Sequence, residues 1–169
     1  MKKAKRSKAK ARPAAKRVPP IQKGYHEVTP YLCIQGAAAA LEFYKKGLGA
    51  KELMRMAGPD GRIGHAEIAI GASRIMLADE NPAINFLAPP SRGGSAVHIH
   101  LYVKDADALA ERAVKAGAKA VKPVEKQFYG DRLGTIEDPF GHVWHVATHV
   151  EEVSPKEMKR RAAEMAAKG

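Results

Sequence analysis

The sequence predicts an α+β fold in which a βαβββ unit occurs twice, flanked by a disordered basic arm and a C-terminal helix. Three observations predict it. The segment Ala38-Ala-Ala-Leu41 through Gly49-Ala50-Lys51 recurs as Ala106-Asp-Ala-Leu109 through Gly117-Ala118-Lys119, at a constant offset of 68 residues. Around both copies the apolar residues switch to alternation with period two, the pattern of strands that bury one face. Ahead of both lies a run of Lys, Arg and Ala with no large apolar residue before Val18.

That run comes first in the chain. Residues 1–17 hold nine Lys or Arg and no acid, so of the 29 basic residues 20 remain to face 18 acids over the rest, a difference of +2. The formal net charge of +11 therefore belongs mostly to the arm. With little apolar surface to bury, residues 1–20 are expected to be disordered, ending at Pro19-Pro20. Residues 2–17 can neutralise phosphates on nucleic acid or anionic lipid without reading sequence, and the same composition serves equally as a solubilising tail. No apolar stretch of the roughly 7–15 residues that a secretory signal needs follows it, and no run approaches a membrane span. The single Cys33 excludes an internal disulfide and fits a reducing compartment, so a cytoplasmic location is expected.

The 169 residues, 45% hydrophobic, suffice for one domain with a core, placed at 21–153 with modules 25–80 and 96–149. Strands are predicted near 27–35, 51–57, 62–70 and 73–79, then near 96–103, 119–128, 131–138 and 142–149. Turn signals separate them at Gly58-Pro-Asp-Gly61, Gly71-Ala-Ser73 and Asp138-Pro-Phe-Gly141. Each repeated helix is expected to end on a C-cap glycine, and residues 81–95, rich in Pro and Gly, form the linker. Residues 154–169 form the last helix, with Ser154 as N-cap and Pro155 in its first turn.

Alternation sorts each strand into a row beneath a helix and an opposite row. Leu32/Ile34, Ala66/Ile68/Ile70, Ile75/Leu77 and Val97/Ile99/Leu101/Val103 form the first set. Thr29/Tyr31/Cys33, His65/Glu67, Arg74/Met76 and His98/His100/Tyr102 form the second, with His145 on the parity of Val143 and Ala147. A concave surface carrying these polar groups suits a small polar or anionic ligand. By parity Trp144 is core; Cys33 points toward the concave side but has no cation beside it in the strand to lower its pKa, so it is inert packing, and His142 and His149 fall at strand ends on the surface.

The strings Thr29-Pro-Tyr-Leu32, Phe43-Tyr44, His65-Ala-Glu67, Met76-Leu-Ala-Asp-Glu80, Phe128-Tyr-Gly-Asp-Arg132 and Asp138-Pro-Phe-Gly-His-Val-Trp144 closely resemble PhnB-like proteins. Those belong to the vicinal oxygen chelate superfamily, with glyoxalase I, bleomycin-resistance proteins and extradiol dioxygenases. The resemblance spans residues 25–153 and implies a glyoxalase-like pair of half-barrels and a homodimer. It also implies a divalent metal ion, with ligand positions at Thr29, Met76, His98 and His145. Only His98 and His145 are good ligands there, so the set is incomplete. Glu67 or Glu137 would have to supply a carboxylate for lyase or dioxygenase chemistry.

The candidate site residues follow. His65 and Glu67 form either an acid–base pair or a hydrogen bond within the sheet. Tyr31, His65, His98, His100, Tyr129, Arg132 and His145 are the candidate ligand-binding set. Arg132 suits bidentate capture of an anion, unless it serves only to order its turn through Asp131. Three functions stay open: a protein that binds a small molecule, a metal-dependent lyase, isomerase or dioxygenase, and a module tethered to nucleic acid by its arm.

Overall fold

A computed structural model describes residues 18–167, so the expectations for residues 1–17 lie outside the described residues. In chain order it contains β1 (Tyr31–Ile34), α1 (Ala37–Leu48), β2 (Lys51–Ala57), β3 (Ile63–Ile70), β4 (Ser73–Asp79), β5 (His98–Tyr102), α2 (Ala106–Lys115), β6 (Lys119–Lys126), β7 (Asp131–Glu137), β8 (Val143–His149) and α3 (Pro155–Ala166). The duplicated βαβββ unit is present as expected. Each copy forms a four-stranded sheet, in the order β1-β4-β3-β2 and β5-β8-β7-β6. The first strand of each copy runs parallel to the last, and the remaining pairs are antiparallel.

Both helices pack on the inner faces, and one core joins them. Ile34, Leu41, Tyr44, Ile68 and Leu77 of the first module and Ile136, Trp144 and Val146 of the second are almost wholly inaccessible to water. Such burial is worth about 1.5–3 kcal/mol for each large aliphatic side chain. The aromatic seam Phe43, Tyr44, Phe140 and Trp144 crosses the junction with ring centroids 5.5–6.3 Å apart. At its centre the buried Asp138 carboxylate accepts from the Tyr44 hydroxyl at 2.8 Å, Trp144 Nε1 at 3.0 Å, and the backbone N–H groups of Phe140 and His142 at 2.9 Å. Burial pushes its pKa up, but the donors of His142 and Trp144 outweigh it and hold the group below its ordinary value.

The helices start differently. Asp105 caps α2 locally by accepting from Ala108 N–H. Helix α1 begins after Gly36, at φ 85°, with no side-chain cap of its own. Instead Asp79, at the end of β4, takes the N–H groups of Gly36 and Ala37 on one oxygen and that of Ile63 on the other.

Several details differ from the sequence reading. The first and fifth strands are shorter than expected, and Val97, placed in a helix-facing row, precedes β5 and is exposed. Helix α1 ends on Gly49 as expected, whereas α2 is capped by Ala116 with Gly117 following at φ 117°. The linker contains two short 3-10 turns, Pro82–Ile84 and Pro89–Arg92, each started by proline.

Candidate functional site

Register decides which side chains share the outer face of each sheet. In the first module β1 places Tyr31 opposite Met76, and β3 places Glu67 beside Met76 and His65 beside Met56. Tyr31 and His65 therefore meet, with the phenol oxygen 3.0 Å from His65 Nδ1. On the other side of that ring, Nε2 lies 3.4 Å from Glu67. The Glu67 carboxyl is held below its ordinary range by Tyr25 first, then by His65 and Arg74, against the effect of burial. Arg74, 3.6 Å from Glu67, also stacks over the Tyr25 ring at 4.5 Å. His65 and Glu67 thus sit inside a paired polar cluster.

In the second module, His100 faces His145 across the β5–β8 ladder and Thr135 faces His145 across β7–β8. His98 Nδ1 lies 3.0 Å from His145 Nε2, and His145 Nδ1 lies 3.0 Å from Thr135 Oγ1. The chain Thr135–His145–His98 leaves His98 Nε2 at its outer end, where it donates or accepts according to the tautomers of the two rings. Burial pushes the His145 pKa down, and the neighbouring His98 and His100 push it further.

The edge strands of the two sheets, β1 and β5, border together with the linker a cavity of about 620 Å³. Tyr31, His98 and His100 line it, three of the residues the sequence singled out. His65 and His145 stand one hydrogen bond behind that wall, through Tyr31 and His98 respectively. Cys33 also lines it; burial pushes its thiol up to about 11, and Arg92 nearby does not offset this, in line with an inert thiol.

Arg132 departs from the expectation. Its guanidinium makes two bonds to Asp107 on α2, at 2.5 and 2.7 Å, and no ion pair forms between Arg132 and Asp131. Adjacent strand residues point to opposite faces, so Arg132 turns toward the helix while Asp131 turns to the outer row. Tyr129 lies in the turn before β7, is half-buried, and does not line the cavity. Of the two histidines assigned to the surface, His149 is exposed at the end of β8 as expected and His142 is not. His142 is 6% exposed and lines the cavity, with its backbone N–H bonded to Asp138. His149 bonds the buried Asp131 at 2.7 Å, which also accepts from Tyr102 at 2.7 Å. The signal for His142 was its place directly after the Asp-Pro-Phe-Gly turn.

The metal positions can be tested against this geometry. His98 and His145 bring two nitrogens together, but Thr29 precedes β1 and Met76 offers a thioether. Among the described residues no three His, Cys, Asp or Glu side chains converge as a metal ion would require. The donor set does not fit a resident divalent ion. Among the described residues no helix is long and apolar enough to cross a membrane.

Comparison with known proteins agrees with the architecture. The chain is 42% identical to the protein Rv0887c of Mycobacterium tuberculosis over 135 residues, covering 78% of this chain and 79% of that one. It is 32% identical to At5g48480 of Arabidopsis thaliana over 117 residues, covering 65% of this chain and 70% of that protein. The X-ray structure of that Arabidopsis gene product superposes with a TM-score of 0.59 at 28% identity, over 73% of this chain and 98% of that one. TioX from Micromonospora sp. ML1 shares the fold at a TM-score of 0.58 and 21% identity, over 76% of this chain and 100% of that one. The family model described as Glyoxalase/Bleomycin resistance protein/Dioxygenase superfamily matches residues 25–146, and the chain belongs to that superfamily.

Proposed function

We propose that the protein is a PhnB-like member of this superfamily that binds a small polar or anionic molecule and does so without a metal ion. Residues 21–153 are the binding unit, with the arm and the last helix as appendages. One observation carries the reading: Tyr31, His98 and His100 line a single cavity of about 620 Å³, backed by His65 and by the His145–Thr135 chain. A cavity of this volume, largely apolar with a few convergent polar groups, is the usual form of a small-molecule site. The incomplete donor set argues against lyase or dioxygenase chemistry at the same place. A homodimer belongs to the proposal, supported by Tyr31, Met54, Met56 and Ile84, which leave apolar surface exposed on the outer side of the first module.

The test is native mass spectrometry and metal analysis of untagged protein. Retention of a small organic molecule, lost in His98→Ala, is the expected result. Stoichiometric zinc, iron, nickel or manganese, lost in a His98→Ala, His145→Ala double variant, would overturn it.

A further inference from the structure

The charges around this cavity are lopsided. Of the residues lining it, Arg92 is the one with a permanent charge, and no carboxylate side chain is among them. The two acids whose charge reaches Cys33, Glu80 and Asp79, do not line the cavity and are turned to neutral donors. Glu80 accepts from Gln35, Ser91 and the Ala88 N–H, and Asp79 is spent on three backbone N–H groups. Arg92 itself is held by Asn85, which takes two bonds from Nη2 at 2.9 and 3.2 Å and carries no charge. Among the described residues its guanidinium makes no ion pair, and its Nε and Nη1 donors remain for a ligand.

At the back of the cavity stands His142. Its Nδ1 has no hydrogen-bond partner and lies 3.6 Å from Asp138, beyond bonding distance and against a carboxylate whose oxygens already take four donors. With Nδ1 turned to that carboxylate, Nε2 on the other side of the ring is the nitrogen left for the cavity. Between these polar ends the wall is apolar, from Leu32, Leu87, Pro89, Val97 and Ile99.

From this arrangement we infer that the occupant is an organic anion with an apolar body. Its carboxylate, sulfonate or phosphonate group pairs with Arg92, its body fills the space between β1 and β5, and His142 is a polar contact at the far end. The inference rests on the reading that this cavity holds a small molecule, and it names the ligand class and two residues, Arg92 and His142, for that site. A cation is the wrong occupant, because no lining carboxylate would neutralise it and Arg92 would repel it.

Two fluorescent probes of nearly the same shape test the idea. Anilinonaphthalene sulfonate carries an anionic group on an aromatic body, and phenylnaphthylamine is the same body without the charge. The full-length protein is expected to bind the sulfonate about tenfold or more tightly than the neutral probe, and Arg92→Gln to remove most of that preference by weakening the sulfonate far more than the neutral probe. Ala96→Trp, which fills the cavity, is expected to abolish binding of both, with circular dichroism checking that the fold persists. Equal affinity for the two probes, or a preference that survives Arg92→Gln, overturns the anion assignment and leaves the cavity as a binding site. Sulfonate binding that is unchanged in Ala96→Trp overturns both.

Discussion

The Tyr44 hydroxyl donates to Asp138 at 2.8 Å across 94 residues of sequence, so a side chain on the helix of the first module satisfies a buried carboxylate at the last turn of the second. Burial first and then the Asp138 charge raise the Tyr44 pKa well above its ordinary value, so the phenol remains a donor. The bond ties the two repeats together where their aromatic seam is thickest.

Removing that donor is expected to cost stability without altering the fold. Tyr44→Phe should lower the free energy of unfolding by about 1–3 kcal/mol, as one buried acceptor loses a partner. Asp138→Ala strands four donors at once and should cost more, about 3–5 kcal/mol. Urea denaturation followed by tryptophan fluorescence measures both, since Trp144 sits in the same seam.

The Asp131–His149 pair predicts a pH dependence of definite sign. Asp131 raises the His149 pKa, mainly through their hydrogen bond, so the stability from His149 is present below its unfolded value near 6.5 and is lost as pH rises through the higher folded value. Asp131 behaves oppositely. Burial raises its pKa, yet His149 and Tyr102 bring it below the ordinary value, so its share is present above about 3.9 and is lost as pH falls through the lowered value. The pair is thus strongest between roughly pH 4 and 6.5. Asp131→Asn should move the NMR titration midpoint of His149 downward; an unmoved midpoint would contradict the pairing.

Cys33 should be a slow thiol. With its pKa pushed to about 11, mainly by burial, little thiolate exists near neutral pH. Alkylation by iodoacetamide at pH 7.5 is expected to run at least about tenfold slower than for a free cysteine peptide, and to approach it once the protein is unfolded in urea.

If the outer apolar surface of the first module is covered by a second copy, light scattering should give twice the 18.3 kDa chain mass. Met56→Glu should shift the distribution to the single chain, because Met56 is 60% exposed in one copy and a buried carboxylate there would lack a partner. Arg160→Gln, on the exposed last helix, should leave the mass unchanged.

The repeat and its strand periodicity were readable because two of the most local signals, turn residues and alternation, coincide at matching positions in both halves. The outer rows carrying Tyr31, His65, His98, His100 and His145 followed from the same parity. Arg132 did not, because a long side chain takes its partner from whichever element packs next to it, and Asp107 on α2 is invisible to a reading of β7 alone. Arg92 and His142 escaped for a related reason. One lies at the end of a 3-10 turn in the linker, and the other was assigned by its place at a strand end although both line the cavity.

The manner in which the two helices begin has a kinetic consequence. Helix α2 carries its start signal three residues from where it acts, and a short peptide could nucleate it. Helix α1 waits for Asp79, 42 residues further along, before its first amides find an acceptor. The duplicated halves should therefore order by different routes, the later one from local contacts and the earlier one only after its final strand has closed the loop, with the slower closure expected of distant contacts.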